Sequence, residues 1–415
     1  MNLYALIILS TLAFDHALNL VADLLNLKAL RTEPPKEFEG IYDPAAYRKS
    51  QDYTRARTKF GIITSTLALA VTLLFWFGGG FNALDQALRR WGFGPVGAGL
   101  AYIGILALLK ALWALPFRIY SIFVIEEKFG FNRMTPGTFT LDLIKGLGLA
   151  ALLGGPLLAG VLAFFEYAGP SAWLYGWGAV SLFILFVQLI APAWIMPLFN
   201  KFEPLAAGEL RERILSYARS VRFPVENVFV MDGSRRSSKS NAFFTGFGKR
   251  KRIALFDTLI AKQTVPELVA VLAHEIGHYK KKHVLQGMVI GVLHTGLMFF
   301  LLSLFISRPG LYDAFYMEER SIYAGFIFFG MLYAPIEFVL SLFLQILSRK
   351  NEYEADRFAA ETIDRPEAMS DALKKLSADN LSNLTPHPFY VFLNYSHPPV
   401  IDRVNAIRAH SPAQS

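Results

Sequence analysis

Long apolar runs separated by short polar connections fill the first half of the chain, and the pattern changes only near residue 200. A helix needs about 20 apolar residues to cross the hydrocarbon core of a bilayer. Five runs of that kind precede residue 200: Leu3 to Leu25, Phe60 to Phe81, Ala98 to Leu115, Gly146 to Phe165 and Trp173 to Ile195. Two more follow, His283 to Ile306 and Tyr323 to Leu347. The third is open to extension through Pro116 towards Ile125, and Pro192 and Pro197 predict a kink or early end in the fifth. Gly78-Gly79-Gly80 reads as a helix stop. Asp15, His16 and Asp23 interrupt the first run, so they either face a protein interior or cavity or lie near an interface.

From Asn200 to Lys282 the periods shorten. A charged amphipathic helix is expected over Leu205 to Arg219, then short strands at Val228–Met231, Asn241–Phe247 and Arg252–Phe256, with turns at Gly233-Ser234 and Gly248-Lys249. Four regions result: residues 1–199 with spans one to five, an α+β insert over 200–282, spans six and seven over 283–347, and a C-terminal helical tail over 348–415. The expected fold class is an all-α, seven-span membrane protein carrying a small α+β insert.

Composition agrees with a polytopic membrane protein rather than the two or three soluble domains that 415 residues could form: 53% of residues are hydrophobic and 18% charged. Zero cysteines exclude disulfides, thiolate ligands and a cysteine nucleophile. The formal charge of +8 falls mainly in the first, third and fifth connections and the tail, which makes it a topology signal rather than a nucleic-acid footprint. By that bias the N-terminus lies outside, with insert and tail cytoplasmic. The first run lacks a basic leader and is expected to be a retained span, not a cleaved signal. Arg235-Arg236 and Lys249-Arg250-Lys251-Arg252 are either contacts for anionic headgroups or a solvated hairpin tip.

The chemistry concentrates in Val271-Leu272-Ala273-His274-Glu275-Ile276-Gly277-His278-Tyr279, which reads as helix. His274 and His278 stand at i and i+4, so both imidazoles can face one ion, and Glu275 is placed to take a proton from water at that ion. Zinc suits two imidazoles and needs a third protein ligand if it is to keep an open position. Glu352 is the candidate, with Asp356 one turn later to accept a hydrogen bond from a ligand imidazole. Glu354 points to the other side of that helix, and the same acids could simply begin a solvated C-terminal helix. Gly277 offers little bulk where the helix must be approached closely. His283, His294, His387 and His410 carry no assigned role.

His274-Glu275-x-x-His278, Asn351-Glu352-Tyr353-x-Ala355-Asp356, Tyr395-Ser396-His397-Pro398-Pro399 with Arg403, and Glu126-Glu127-Lys128-Phe129-Gly130-Phe131-Asn132 resemble the membrane-integral zinc endopeptidases typified by type I CAAX prenyl protease. The resemblance spans essentially the whole chain. It implies one Zn2+ held by His274, His278 and Glu352, Glu275 as general base and Asp356 behind the ligands. It also implies that His397 and Arg403 hold substrate and the developing oxyanion, and that Asn241-Ala242 begin a substrate-pairing strand. A water-filled chamber within the ring of spans and removal of the last three residues after a prenylated cysteine are implied too. The partners implied are a peptide or protein substrate, prenylated in the family, and the lipid bilayer.

The compact connections suggest a bacterial homologue in the inner membrane, or the endoplasmic reticulum if the source is eukaryotic. A bacterial setting keeps a second role open, quality control of membrane proteins. A site-2-type protease is disfavoured because Lys280-Lys281-Lys282 follow the motif at the membrane surface. A seven-span transporter or receptor with a structural metal would need a closed four-ligand shell instead.

Overall fold

The computed structural model describes residues 1–225, 227–245 and 252–410. Among them are seven helices long and apolar enough to cross a membrane: Leu3–Lys28, Pro44–Phe77, Pro95–Glu126, Pro136–Tyr167, Gly169–Phe199, His283–Phe305 and Ile322–Thr362. They are numbered here as the first to seventh span helices. The first two begin on side-chain caps, Asn2 accepting from the Ala5 amide at 3.0 Å and Asp43 from Ala45 and Ala46 at 2.8 Å each. The second ends at the expected glycines, with Gly79 at φ +71°.

The third, fourth and fifth span helices each contain a wider π-type turn, at Ser121–Glu126, Ala150–Gly154 and Ala191–Ile195. The fifth therefore does not stop at Pro192. It loosens there, which accommodates the missing amide, and continues to Phe199.

The larger correction concerns the seventh. Instead of ending near Leu347 before a separate tail helix, it runs unbroken for 41 residues past Pro335 to Thr362. The segment from Ser348 onward is the far end of the span helix itself.

The end of the bundle away from the insert is locked by aromatic packing. Trp76, Phe81, Phe315 and Phe328 stack or meet edge to face, and Trp76 Nε1 donates to the Ala314 carbonyl at 2.8 Å. Beneath them Asp85, fully buried, accepts from Tyr323 at 2.5 Å and from Arg89 at 2.7 Å.

At the other end lies a four-stranded sheet: β1 (Phe202–Pro204), β2 (Asn227–Met231), β3 (Ala242–Thr245) and β4 (Arg252–Phe256), in spatial order β1-β2-β4-β3. β1 was not expected, because three residues are too few to show alternation. β2 and β4 run parallel with Val228 opposite Ile253, and β3 pairs antiparallel to β4 with Ala242 opposite Leu255, at one edge of the sheet. The expected Gly246 and Phe247 of that strand, the turn at Gly248-Lys249 and the cluster at Lys249–Lys251 lie outside the described residues.

Helix α1 (Glu209–Ser220) starts later than its pattern suggested. Helix α2 (Val265–Lys280) opens on a capping box, the Thr264 amide donating to Glu267 at 2.7 Å. The tail adds α3 (Glu367–Asp379), α4 (Pro388–Asn394) and α5 (Val400–His410).

Two partly buried cations tie the insert to the bundle. Arg236 is no solvated hairpin tip: its guanidinium grips Asp142 at 2.7 and 2.9 Å and the Phe199 carbonyl at 2.6 Å. Lys239 donates to Glu126 at 2.8 Å and to the Tyr53 hydroxyl at 2.6 Å, and lies 4.4 Å from the Phe131 ring centroid.

α2 buries Leu268, Ala270, Leu272, Ala273 and Ile276 and packs along the seventh span helix. Gly277 sits at the closest approach. A Cβ there would stand 3.1 Å from the Ala355 Cα and carbonyl oxygen, which are backbone and cannot swing aside. Gly277→Ala is expected near break-even, because about 1 kcal/mol of helix propensity offsets the crowding. Gly277→Val should push the helices apart and cost about 1–3 kcal/mol. A thermal unfolding midpoint for Gly277→Val equal to that of the parent would show that the contact is not tight.

Candidate metal centre

Three side chains from two helices converge where α2 meets the seventh span helix. His274 and His278 Nε2 lie 3.2 Å apart, and Glu352 reaches them at 3.5 and 3.2 Å, so the donor atoms all lie within 4.8 Å of one another. The i, i+4 spacing on α2 supplies the pair of imidazoles. The unbroken seventh helix carries Glu352 to them from below.

Asp356, one turn beyond Glu352 and 1% exposed, forms the floor. It accepts from His274 Nδ1 at 2.8 Å and from Arg403 of α5 at 2.7 and 2.6 Å. The hydrogen bond on Nδ1 leaves His274 Nε2 free to act as a ligand. Arg403 spends its remaining nitrogen on Glu352 Oε2 at 3.3 Å. The guanidinium is thus buried between two carboxylates, a fork that suits planar, bidentate pairing.

The charge balance bears on what the site can hold. Glu275, Glu352 and Asp356 face a single guanidinium, an excess of two negative charges, and Glu352 Oε2 is buried without a hydrogen-bond partner. Burial disfavours a charged His274, but the hydrogen bonds to Asp356 and Glu352 outweigh it and raise its pKa to about 9. A site that draws a proton so strongly lacks positive charge. A divalent cation between two imidazoles and a carboxylate fits both the donors and the deficit. Burial also raises the pKa of Glu275, opposed by the neighbouring His274 and His278.

His397 reaches the same centre from the Tyr395-Ser396-His397 turn ahead of α5. Its Nε2 is 3.4 Å from Glu352 Oε1, its Nδ1 is 2.9 Å from the Ser396 hydroxyl, and the ring is 63% exposed to the cleft. A cleft of about 380 Å³ runs from His397 and Arg403 past Asn380, Asn383 and Tyr395.

Ala242 begins edge strand β3, which packs against α2, and Asn241 stands immediately before it. The segment leading into them is clamped: the Ser240 amide donates to Asn380 at 3.1 Å, and Lys239 is held by Glu126. That gives the Glu126–Asn132 motif a physical task, since it fixes the start of the strand next to the site. Gly130, at φ +81°, makes the turn.

Residues 23–201 match the family model described as CAAX prenyl protease N-terminal, five membrane helices, and residues 204–411 match peptidase family M48. CAAX prenyl protease 1 of Saccharomyces cerevisiae is 36% identical over 411 residues, covering 92% of this chain and 89% of the yeast protein. The Homo sapiens homologue is 33% identical over 423 residues, covering 91% and 89%. The crystal structure of S. mikatae Ste24p superposes with a TM-score of 0.90 at 35% identity, covering 98% of this chain and 99% of that one. The chain belongs to the CAAX prenyl protease family. It is a membrane-integral metallopeptidase of the M48 type, acting on a peptide or protein substrate.

Two residues that the pattern left without a role adjoin the centre. His283, the first residue of the sixth span helix, contacts His278, and Glu354 contacts His283. Neither follows a helical period from the ligands, so spacing gave no signal. Of the other unassigned histidines, His387 caps α4 by accepting from the Phe389 amide at 3.2 Å, and the His410 side chain lies outside the described residues. His16 lies 3.3 Å from Thr66 on the second span helix, away from the centre.

Arg403→Leu should leave Asp356 and Glu352 buried without their cation and cost about 3–5 kcal/mol. Arg403→Lys should recover only part, because a point charge cannot fork to both. Thermal unfolding in detergent with metal chelated checks this. An unchanged midpoint for Arg403→Leu would remove the brace.

Proposed function

We propose that the chain is a zinc endopeptidase that removes the last three residues of a peptide after a prenylated cysteine. The observation that carries this is the convergence of His274, His278 and Glu352 beside Glu275, near a strand edge that Asn241 leads into and Ala242 begins. The substrate class is supported by the name of the relatives that the chain matches along most of its length.

His274, His278 and Glu352 would hold the zinc. When bound, zinc lowers the pKa of water and polarises a carbonyl. Glu275 receives the proton of the attacking water at its carboxylate; burial, by raising its pKa, brings it closer to that of an effective base. Asp356 and Arg403 keep the His274 and Glu352 side chains in register. The Ser396 hydroxyl can donate to His397 Nδ1, which leaves Nε2–H aimed into the cleft as a donor for the carbonyl oxygen as charge develops. Asn241 and Ala242 present a sheet edge to which an extended peptide adds by backbone pairing.

The bilayer is the second partner. The basic first and third connections, the insert and the tail gather at one end of the span helices: Tyr53 packs with Phe129, Phe131 and Leu381, and Tyr47 with Phe38 and Leu384. With the Lys and Arg bias, this supports a cytoplasmic site and an N-terminus outside. The ring of spans would enclose the water-filled space through which a substrate tail reaches the cleft.

The test is cleavage of a farnesylated CAAX peptide by purified protein in detergent. Turnover is expected, about one zinc per chain by metal analysis, and loss of turnover on chelation. Glu275→Gln should abolish turnover, by at least the 10²-fold typical of a lost general base, while zinc is retained. Zinc binding without cleavage of this peptide would reject the prenyl-peptide substrate and direct attention to unfolded membrane proteins.

A further inference from the structure

His274 has a carboxylate behind it, as metal-ligating histidines usually do. Among the described residues none lies behind His278, on its Nδ1 side. Its Nδ1 lies 3.0 Å from Nδ1 of His283, and Nε2 of His283 lies 3.2 Å from Glu354 Oε2. The His283 side chain is 7% exposed, so water does not satisfy its ring nitrogens freely.

Only one arrangement of protons suits these contacts with His278 Nε2 facing the metal site. His278 Nδ1–H donates to the lone pair on His283 Nδ1, and His283 Nε2–H donates to the Glu354 carboxylate. Every ring nitrogen then has one partner, and the chain ends on a negative charge.

The backbone explains how His283 gets there. α2 stops at Lys280, and the sixth span helix starts at His283 after two residues. The second of these, Lys282, is in the left-handed region at φ +62°. This tight reversal turns the first side chain of the new helix back onto the last turn of the old one.

We propose that His283 and Glu354 form a positioning relay for His278, fixing the tautomer and ring orientation with which it holds the metal. This rests on His278 being a ligand. The seventh span helix would then serve the centre three times: Glu352 as donor, Asp356 behind His274, and Glu354 behind His278 through the intervening imidazole. Glu354 stands two residues from each of the others, on the opposite helix face, and only an inserted ring can carry its charge round. Its other neighbour is Lys350 at 3.8 Å, an exposed partner one turn back.

The experiment measures the zinc dissociation constant of the purified full-length protein by competition with a chromophoric chelator, using Zn2+ alone. His283→Phe keeps the ring volume and removes both hydrogen bonds; affinity should fall 10–100-fold, as for other partners of ligand histidines. His283→Gln, whose amide offers an acceptor and a donor, should recover part of it. Glu354→Gln should weaken binding in the parent and have no further effect in His283→Phe. Parent-like affinity in both His283→Phe and Glu354→Gln overturns the relay, and so does additive loss in the double variant. If His283→Phe does not fold, as judged by thermal unfolding without metal, the surface substitution Glu354→Gln decides alone. Failure of the parent itself to bind zinc would instead remove the reading of His278 as a ligand.

Discussion

A guanidinium and two carboxylates share a space from which water is excluded, and three distant stretches of chain must meet to build it. Arg403 comes from α5, Glu352 and Asp356 from the seventh span helix, and His274 from α2. Isolated charges of this kind are costly to bury and become tolerable only when each is paired and hydrogen-bonded. The centre therefore exists only when insert, bundle and tail are all docked. Hydrophobic contacts bring the same elements together, with Leu272, Ala273, Ile276, Ala359, Val404 and Ile407 in one cluster, but such contacts tolerate sliding. The forked hydrogen bonds on Asp356 do not.

Much of this was readable from spacing. Hydrophobic runs of bilayer length gave seven spans, and the i, i+4 histidines gave the face of α2, because both depend on local periodicity alone. Glu352 was a candidate from its helical spacing with Asp356, the resemblance brought in His397 and Arg403, and the structure brings all three to the same centre. What periodicity missed lies where apolar pattern and helix continuity part company. The run from Tyr323 to Thr362 loses hydropathy near Ser348, so its apolar stretch ended there although its helix did not. The end of an apolar run marks the end of a membrane environment, not of backbone hydrogen bonding. His283 escaped for the complementary reason: it is five residues from His278, but a left-handed Lys282 stands between them and breaks any helical count.

The insert illustrates how tertiary contacts override local character. Arg235-Arg236 has the look of a hairpin tip, yet Arg236 is committed to Asp142 and the Phe199 carbonyl. Lys239, unremarkable in sequence, bridges Glu126 and Tyr53 from two different span helices. Each is a partly buried cation whose partner lies far along the chain, and no window of ten or twenty residues contains both halves. These pairs set where β3 begins, and hence where a peptide laid along its edge would pass relative to His274 and His278.

The seventh span helix has a mechanical meaning. At 1.5 Å per residue its 41 residues make a rod of about 60 Å, roughly twice the thickness of a hydrocarbon core. One half of the rod is apolar enough to cross a bilayer, and the other half carries Glu352, Glu354 and Asp356. The helix takes in Pro335 within its apolar half and continues without a break to the carboxylates, so where that half is seated decides where they stand. α2 is laid against that far half, with Gly277 at Ala355 and His274 bonded to Asp356, so the histidine donors are braced on the same rod as the carboxylate. The donor set is thus shared between a helix long enough to cross a bilayer twice over and a shorter helix laid along its far end.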